Sequence, residues 1–425
     1  MTLPPAPVHP AAWRPARLKF AAPLCNERMA AGSGHPGYLG LENIESWTGR
    51  IVHAASKSEE SPEGETGLAN VFKEGDVLFG KLRPYLAKAC HASRDGVCST
   101  ELLVLRPVEA VHPRFLLYSL LTPDFVGTVD ASTFGAKMPR ASWDFIGSLE
   151  LRLPPIEVQS AIANYLDRET TRIDGLIAEK ERMLALLDEK RAALISRIVT
   201  RGLDPDAQLK PSDTEWVDKI PAHWNSCQLK RTWASSDYGL SDSIRDEGEI
   251  KVLRMSCIVD GRIDMSKSGR IAEVDERLLL RRNDLLFNRT NSLTQIAKVG
   301  LVDFDPDDAL AFASYLVRIR ANHLASPHYL TFLLNSPLFI EFARHNAIPA
   351  IGQANLSPAR YGEIHIPLPP ASEQRAIVEF LDRAAKKANP VRHGVTSSIA
   401  LLKERRAALI TAAVTGQIPL EEMTG

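Results

Sequence analysis

Leu153–Leu203 reads LPPIEVQSAIANYLDRETTRIDGLIAEKERMLALLDEKRAALISRIVTRGL, and Leu368–Ile418 reads LPPASEQRAIVEFLDRAAKKANPVRHGVTSSIALLKERRAALITAAVTGQI. The two stretches align without a gap at an offset of 215 residues, with about 20 of 51 positions identical. They share the opening Leu-Pro-Pro, Gln159 with Gln374, Leu166-Asp167-Arg168 with Leu381-Asp382-Arg383, and Ala192-Ala193-Leu194-Ile195 with Ala407-Ala408-Leu409-Ile410. A repeat at this spacing means two copies of one plan, each a globular part followed by a helical part.

Within the helical part a 4-3 spacing runs from Ile173 through Ile177, Lys180, Leu184, Leu187, Arg191, Leu194 and Ile198. The second copy matches it with Ala388, Arg392, Val395, Ile399, Leu402, Arg406, Leu409 and Ala413. That spacing predicts a heptad seam. Arg191 and Arg406 fall at one register, where a cation either snorkels to solvent or fixes the pairing. Pro154-Pro155 forces an extended entry, and Ser372-Glu373 reads as a helix start. Asn389-Pro390 and Gly394 interrupt the second copy, Pro390 aligning with Gly175. Proline inside a helix costs about 3 kcal/mol. The expectation is therefore a short helix (about 157–170 and 373–388), a bend, and a seam helix roughly 40–45 Å long. The firm pairing is expected between Leu184–Ile198 and Ile399–Ala413.

Outside the repeat, two globular parts run from about Trp13 to Leu151 and from Trp216 to Ile366. In the first, Tyr38–Ile51 reads as strand, turn and strand, and a Gly/Ser/Glu-rich loop follows at Glu59–Gly67. Gly75–Phe79 and Val97–Leu105 read as apolar strands, Pro113–Leu121 as a proline-opened helix, and Ile146–Leu153 as a final strand. The second repeats the landmarks: Gly49-Arg50-Ile51 answers to Gly261-Arg262-Ile263, Gly75–Phe79 to Asn283–Phe287, the helix after Pro113 to one after Pro327, and the loop at Gly135 to that at Gly352. Asp204–Ser212, with two prolines, reads as the linker between halves.

The chain of 425 residues carries 51 basic and 52 acidic side chains, a net charge of −1, and is 44% hydrophobic. A free-standing DNA binder usually carries a basic excess, so composition alone argues mildly against nucleic acid. No apolar run approaches the roughly 18 residues of a membrane span. Met1–Pro10 lacks a signal-peptide pattern and reads as a proline-rich arm. Five cysteines without CxxC spacing point to a reduced, cytoplasmic setting. There is no phosphate-binding G-x-x-x-x-G-K-[ST] loop, no G-x-G-x-x-G after a strand, no His/Cys metal cluster and no Asn-Pro-Pro-aromatic motif. Asp124 with Asp188-Glu189-Lys190 makes a poor nuclease pairing, because Asp188 sits on the seam helix. No catalytic residue, metal or cofactor is expected.

A variable part, then LPP…Q…LD…RAALI..VT, then a second variable part and a second copy: over essentially the whole chain this resembles the specificity subunit of type I restriction-modification systems. The resemblance implies an α+β chain of two similar α/β target-recognition domains on a pair of long helices, an antiparallel coiled coil with pseudo-twofold internal repeat. The divisions are 1–152 (first recognition domain), 153–203 (first helical spacer), 204–367 (second recognition domain) and 368–425 (second helical spacer). Each domain would bind half of a bipartite site in double-stranded DNA. The coiled coil would set the half-site spacing and dock adenine methyltransferase (modification) subunits, with a separate motor-nuclease (restriction) subunit. The chain itself would be non-catalytic, and phosphate contacts from partners would account for its even charge. Arginine reads guanine, and asparagine or glutamine reads adenine, through bidentate major-groove contacts. Candidate readers are thus Lys81, Arg83, Lys88, Lys137 and Arg140 in the first domain, and Asn288, Arg289, Asn291, Gln295, Gln353 and Asn355 in the second. The alternative is a coiled-coil adaptor with two ligand-binding domains and no DNA.

Overall fold

The two Leu-Pro-Pro entries end a strand and open a helix in both copies. Strands Glu150–Leu153 and His365–Leu368 run into helices Ile156–Arg201, of 46 residues, and Ala371–Val414, of 44 residues. The computed structural model describes residues 13–30, 37–52, 67–241, 245, 247–350 and 353–424. The arm at Met1–Pro10, most of the loop at Glu59–Gly67, and Gly352 lie outside these residues.

By packing, the chain divides into two units, Met1–Glu181 with Thr396–Gly425, and Arg182–Val395. Each unit holds one globular body, the start of one long helix and the end of the other. In the first, strands Arg14–Arg17 and Glu150–Leu153 pair. A four-stranded sheet orders Leu24–Cys25, Leu102–Leu105, Val77–Gly80 and Ala89–His91. In the second, Asn225–Gln228 pairs with His365–Leu368. Strands Leu316–Ala321, Leu285–Asn288 and Val299–Leu301 are successive neighbours in a six-stranded sheet. These are the sequence-equivalent strands of the two copies. Ion pairs on a buried carboxylate repeat with them. Asp76 accepts from Lys73 N and from Arg106, and Asp284 accepts from Arg281 N and from Arg320.

The body–helix junctions are also built alike. Trp13, Phe115, Ile162, Leu166, Ile410 and Ala413 share one apolar cluster in the first unit. Their counterparts Trp224, Tyr329, Ile377, Leu381, Ile195 and Ile198 pack together in the second. In each, a buried glutamine ties body to helix. The Gln159 amide donates to Ala110 O and Pro154 O and accepts from His112 N. The Gln374 amide donates to Leu324 O and Pro369 O and accepts from Ser326 N.

Several local expectations need correction. Neither long helix is interrupted between a short and a long piece; each is one continuous helix. Pro390 lies inside a continuous helix on its exposed face. Lys386, whose carbonyl it cannot serve, is also an exposed residue, while buried Val395 and half-buried Arg392 keep the opposite face packed; tertiary packing then outweighs propensity. The pairing register also differs. Within the first unit Arg406 meets Asp174 and Lys403 meets Glu181; within the second Arg392 meets Asp188. Both sets are antiparallel, and they set Leu184–Ile198 against roughly 382–396, not against Ile399–Ala413. Repeat identity had suggested pairing like with like, whereas an antiparallel repeat pairs each segment with a different part of its copy.

Val97–Leu105 is two strands, Gly96–Cys98 and Leu102–Leu105, in different sheets, because Leu102 N turns back onto Ser99 O. Ile146–Leu153 begins as helix Trp143–Ser148, capped by the Ser142 hydroxyl, before strand Glu150–Leu153. Tyr38–Ile51 is a short strand and a 3-10 turn, and the second strand shrinks to one bridge, Ile44 to Ile51. The linker at Asp204–Ser212 runs into strand Leu209–Thr214, which pairs with Val217–Pro221.

Candidate nucleic-acid interface

In the second unit, strand Leu285–Asn288 continues as Thr290–Asn291, which pairs with Gln353–Asn355; that strand pairs in turn with Ile348–Ala350. The structure thus brings Asn288, Arg289, Asn291, Gln353 and Asn355 together at one sheet edge. Gln295 returns to it through its carbonyl, 3.3 Å from Asn288 Nδ2. Arg289 lies over the exposed Tyr238 ring at 5.0 Å, and its N–H donates to Tyr315 O. The Asn355 amide donates to Thr290 Oγ1, and Gln295 Oε1 accepts from Lys298. Asn291 Oδ1 is taken by Ser292 N. Asn288 is buried with Oδ1 unpartnered, which makes it the floor of the edge. Gln353 is exposed.

The first unit repeats this in outline. Lys81 N and O bond to Glu101 O and Ala141 N. Leu82 bridges Arg140, which also bridges Phe134. These bridges answer to Thr290 with Asn355 and Ile348 with Asn355. Arg83 is exposed, its N–H held by Pro139 O and its backbone left-handed at φ 50°. A non-glycine residue held there stores strain, a feature that clusters at functional sites. Lys137 is exposed on the adjoining turn. Two candidates are committed internally. Lys88 Nζ donates to Leu41 O at 2.6 Å, and Arg140 is chelated by Glu101.

Sequence reasoning singled out the polar residues and missed the apolar ones between them. Tyr85, Phe134 and Met138 are exposed at the first edge; Tyr238, Leu293, Tyr315 and Ile348 are exposed at the second. Tyr85 and Leu293 stand at the same 208-residue offset as Gly75 and Asn283, which is the signal that could have found them. Cations and amides interleaved with exposed rings are suited to phosphates, base edges and sugar faces.

The predicted seam residues lie on the inner flanks. Ile177, Ile198, Ile399 and Arg406 are buried, and Leu184, Leu187, Arg191, Leu194, Leu402 and Leu409 are half-buried. Among the described residues no group of acidic, His and Cys side chains is placed to hold a metal ion, and no helix is long and apolar enough to cross a membrane.

Residues 233–393, which include the whole second edge, match the family described as the type I restriction modification DNA specificity domain. Residues 233–393 thus carry a type I DNA specificity domain. The chain is 24% identical over 328 residues to the type I restriction enzyme EcoBI specificity subunit of Escherichia coli, covering 72% of this chain and 66% of that one. It is 24% identical over 346 residues to the EcoKI specificity subunit of E. coli K12, covering 78% and 72%. The aligned stretch thus spans about two thirds of the first of these relatives. A solved chain from work on complex assembly and conformational transition of the type I R-M system shares the fold. The TM-score is 0.68 at 19% identity, covering 97% of this chain and 100% of that one.

Proposed function

We propose that this chain is a type I specificity subunit that recognises a bipartite sequence in double-stranded DNA, each body reading one half-site through the edge described above. The observation that carries the reading is the repetition of one edge at sequence-equivalent points of both bodies: cation or amide, exposed ring or aliphatic, and a strand bridging back from the later loop. Arg83, Lys137, Lys81 and Tyr85 are the free groups of the first edge. Arg289, Asn291, Gln353 and Asn355 are the candidate readers of the second, with Asn291 and Asn355 each keeping one end of the amide for DNA. Lys88 and Arg140 hold the first edge in shape. A single 46-residue helix is about 69 Å long, close to two turns of B-DNA. The helix pair therefore has the length to set the separation between half-sites. Its outer faces would carry adenine methyltransferase subunits, with a motor-nuclease subunit joining them. The chain would work in the cytoplasm as the non-catalytic member of that assembly.

The test is co-expression with the methyltransferase encoded beside it, followed by genome-wide mapping of methylated adenines. One bipartite motif is the expected result; a contiguous motif, or none, overturns the reading.

A further inference from the structure

The two seam arginines occupy the same register and have different surroundings. Arg406 is 7% exposed. Its Nε donates to Asp174 Oδ1 at 2.9 Å, Nη1 to Trp47 O at 2.8 Å and Nη2 to Thr48 O at 3.0 Å. It therefore joins three parts of the first unit: the end of one long helix, the start of the other, and the turn at 45–50 of the body. That turn is tightly specified. Trp47 and Gly49 both take positive φ, Glu45 N bonds to Arg50 O, and Trp47 N bonds to Ala87 O. Arg50 bonds Glu45 and stands 3.8 Å from Asp174.

The repeat supplies the same parts to the second unit, with one exception. Arg191 answers to Arg406 at the 215-residue offset, and the turn at Asp260-Gly261 answers to that at Thr48-Gly49. Gly261, like Gly49, takes positive φ, and here Asp260 does so in place of the residue answering to Trp47. The residue answering to Asp174 is Asn389. Arg191 is half-buried and, among the described residues, has no hydrogen-bond or ion-pair partner. It lines a cleft of about 340 Å³ together with Asp260, Gly261, Lys298 and Arg392. An arginine and a turn thus face one cleft whose acids, Asp260 of the turn and Asp188, which is paired with Arg392, make no hydrogen bond or ion pair with Arg191 among the described residues, so no bound carboxylate orients the arginine onto the turn.

We propose that Arg406 is a positioning residue that fixes the first recognition body on its helices, and that the second body, lacking this lock, carries the play in half-site spacing. A guanidinium held by a carboxylate has a fixed orientation, so its remaining N–H groups meet two carbonyls in one geometry. Without the carboxylate the same side chain has several rotamers and gives no fixed angle. The inference rests on the DNA-reading function proposed above.

The test uses the full chain co-expressed with its methyltransferase, as wild type and as Asp174→Asn, Arg406→Lys, Asn389→Asp and Ile410→Val. Two quantities are read: hydrogen exchange of the amides at 45–52, and adenine methylation of a plasmid library whose spacer varies by one or two base pairs. Asp174→Asn is expected to speed exchange at 45–52 by about tenfold or more. It should also raise methylation at sites one base pair too long or short by a similar factor, with the bases required in both half-sites unchanged. Arg406→Lys should fall between this variant and wild type. Asn389→Asp, which restores the acid opposite Arg191, should narrow the spacer profile below that of wild type. Ile410→Val softens the same junction without touching the turn, and should leave the profile as it is. The proposal is overturned if Asp174→Asn leaves exchange at 45–52 unchanged. It is equally overturned if exchange rises while the spacer profile stays wild type, or if Ile410→Val broadens the profile as much. A wild-type complex that methylates no bipartite site overturns the DNA reading instead, and the exchange measurement still decides whether the lock exists.

Discussion

Gln159 and Gln374 make the same three backbone hydrogen bonds in their respective units, whereas Arg406 and Arg191 share a register and nothing else. The difference follows from what each side chain must satisfy. The glutamine sits where a strand, a loop and a helix start leave one N–H and two carbonyls buried together, and only an amide meets both needs. Any change there strands backbone groups that no neighbour can serve. The arginine brings its own charge into the seam and needs a carboxylate in reach. One copy has Asp174 and the other has Asn389, so the register was free to diverge in function while the helices continued to pair.

The largest expected effect tests the half of this comparison that is the same. Gln159→Leu or Gln374→Leu removes three hydrogen bonds from buried backbone groups, each worth about 1–3 kcal/mol when left unsatisfied. A loss of about 3–5 kcal/mol is expected from either, measured by urea unfolding. Hydrogen exchange should rise mainly in the mutated unit. A loss under about 1 kcal/mol in either variant would mean that the two amides are not equivalent after all.

Next come the two edges, where the copies share a frame and differ in side chains. Arg83→Ala with Lys137→Ala should reduce discrimination in the first half-site only, and Asn291→Ala with Gln353→Ala in the second only. Each is expected to cost about 10- to 100-fold, following the 1–3 kcal/mol of a good base contact. Lys88→Ala and Arg140→Ala are expected to act through stability instead, because the first holds Leu41 O and the second is held by Glu101. Methylation of half-site variants separates the two kinds of loss. Equal weakening of both half-sites by either pair would break the assignment of one edge to one half-site.

The duplication, the two bodies and the seam flank were legible in the sequence because they rest on gapless identity and on heptad spacing. Arg406 could be placed in the seam, but Asp174 could not be named as its partner. Antiparallel register joins residues 232 positions apart, and no local pattern encodes that distance. The continuity of the helix through Pro390 was hidden for a related reason, since propensity is local and the packing that overrides it is not. At the edges, polar type marked the candidates, but it could not tell exposed Arg83 from chelated Arg140, because Glu101 approaches from a distant part of the chain. The exposed rings went unnoticed because apolar residues in a loop read as core until the sheet edge shows which way they face.

A smaller effect belongs to the interrupted helix. Pro390→Ala should stabilise the second unit by about 1 kcal/mol or more, since the regained N–H can bond the Lys386 carbonyl and the site is already helical. The counterpart Gly175→Ala in the first unit should gain roughly 0.5–1 kcal/mol through propensity alone, its added Cβ meeting no atom within 4 Å. Urea midpoints for the two variants test this, and a destabilised Pro390→Ala would show that the proline is built into the helix's course.

The smallest effect is a difference in acid sensitivity. Half-buried His91 and His112 in the first unit both have pKa values lowered from 6.5, chiefly by burial, with Arg114 lowering them further and Asp167 opposing it. Their sequence counterparts in the second unit are Leu301 and Ser326, which do not titrate in this range. For a base whose folded pKa lies below its unfolded value, both states are neutral above 6.5 and stability is full there. As pH falls through 6.5 the unfolded chain takes up protons first, so stability is lost progressively down to the folded pKa. Lowering pH from about 7 to about 5.5 should therefore raise hydrogen exchange in the first body more than in the second. His112→Asn, which keeps a polar group at the start of the helix after Pro113 and removes one titration, should shrink that difference. An unchanged gap between the two bodies in this variant would mean that the acid sensitivity comes from somewhere other than this pair of imidazoles.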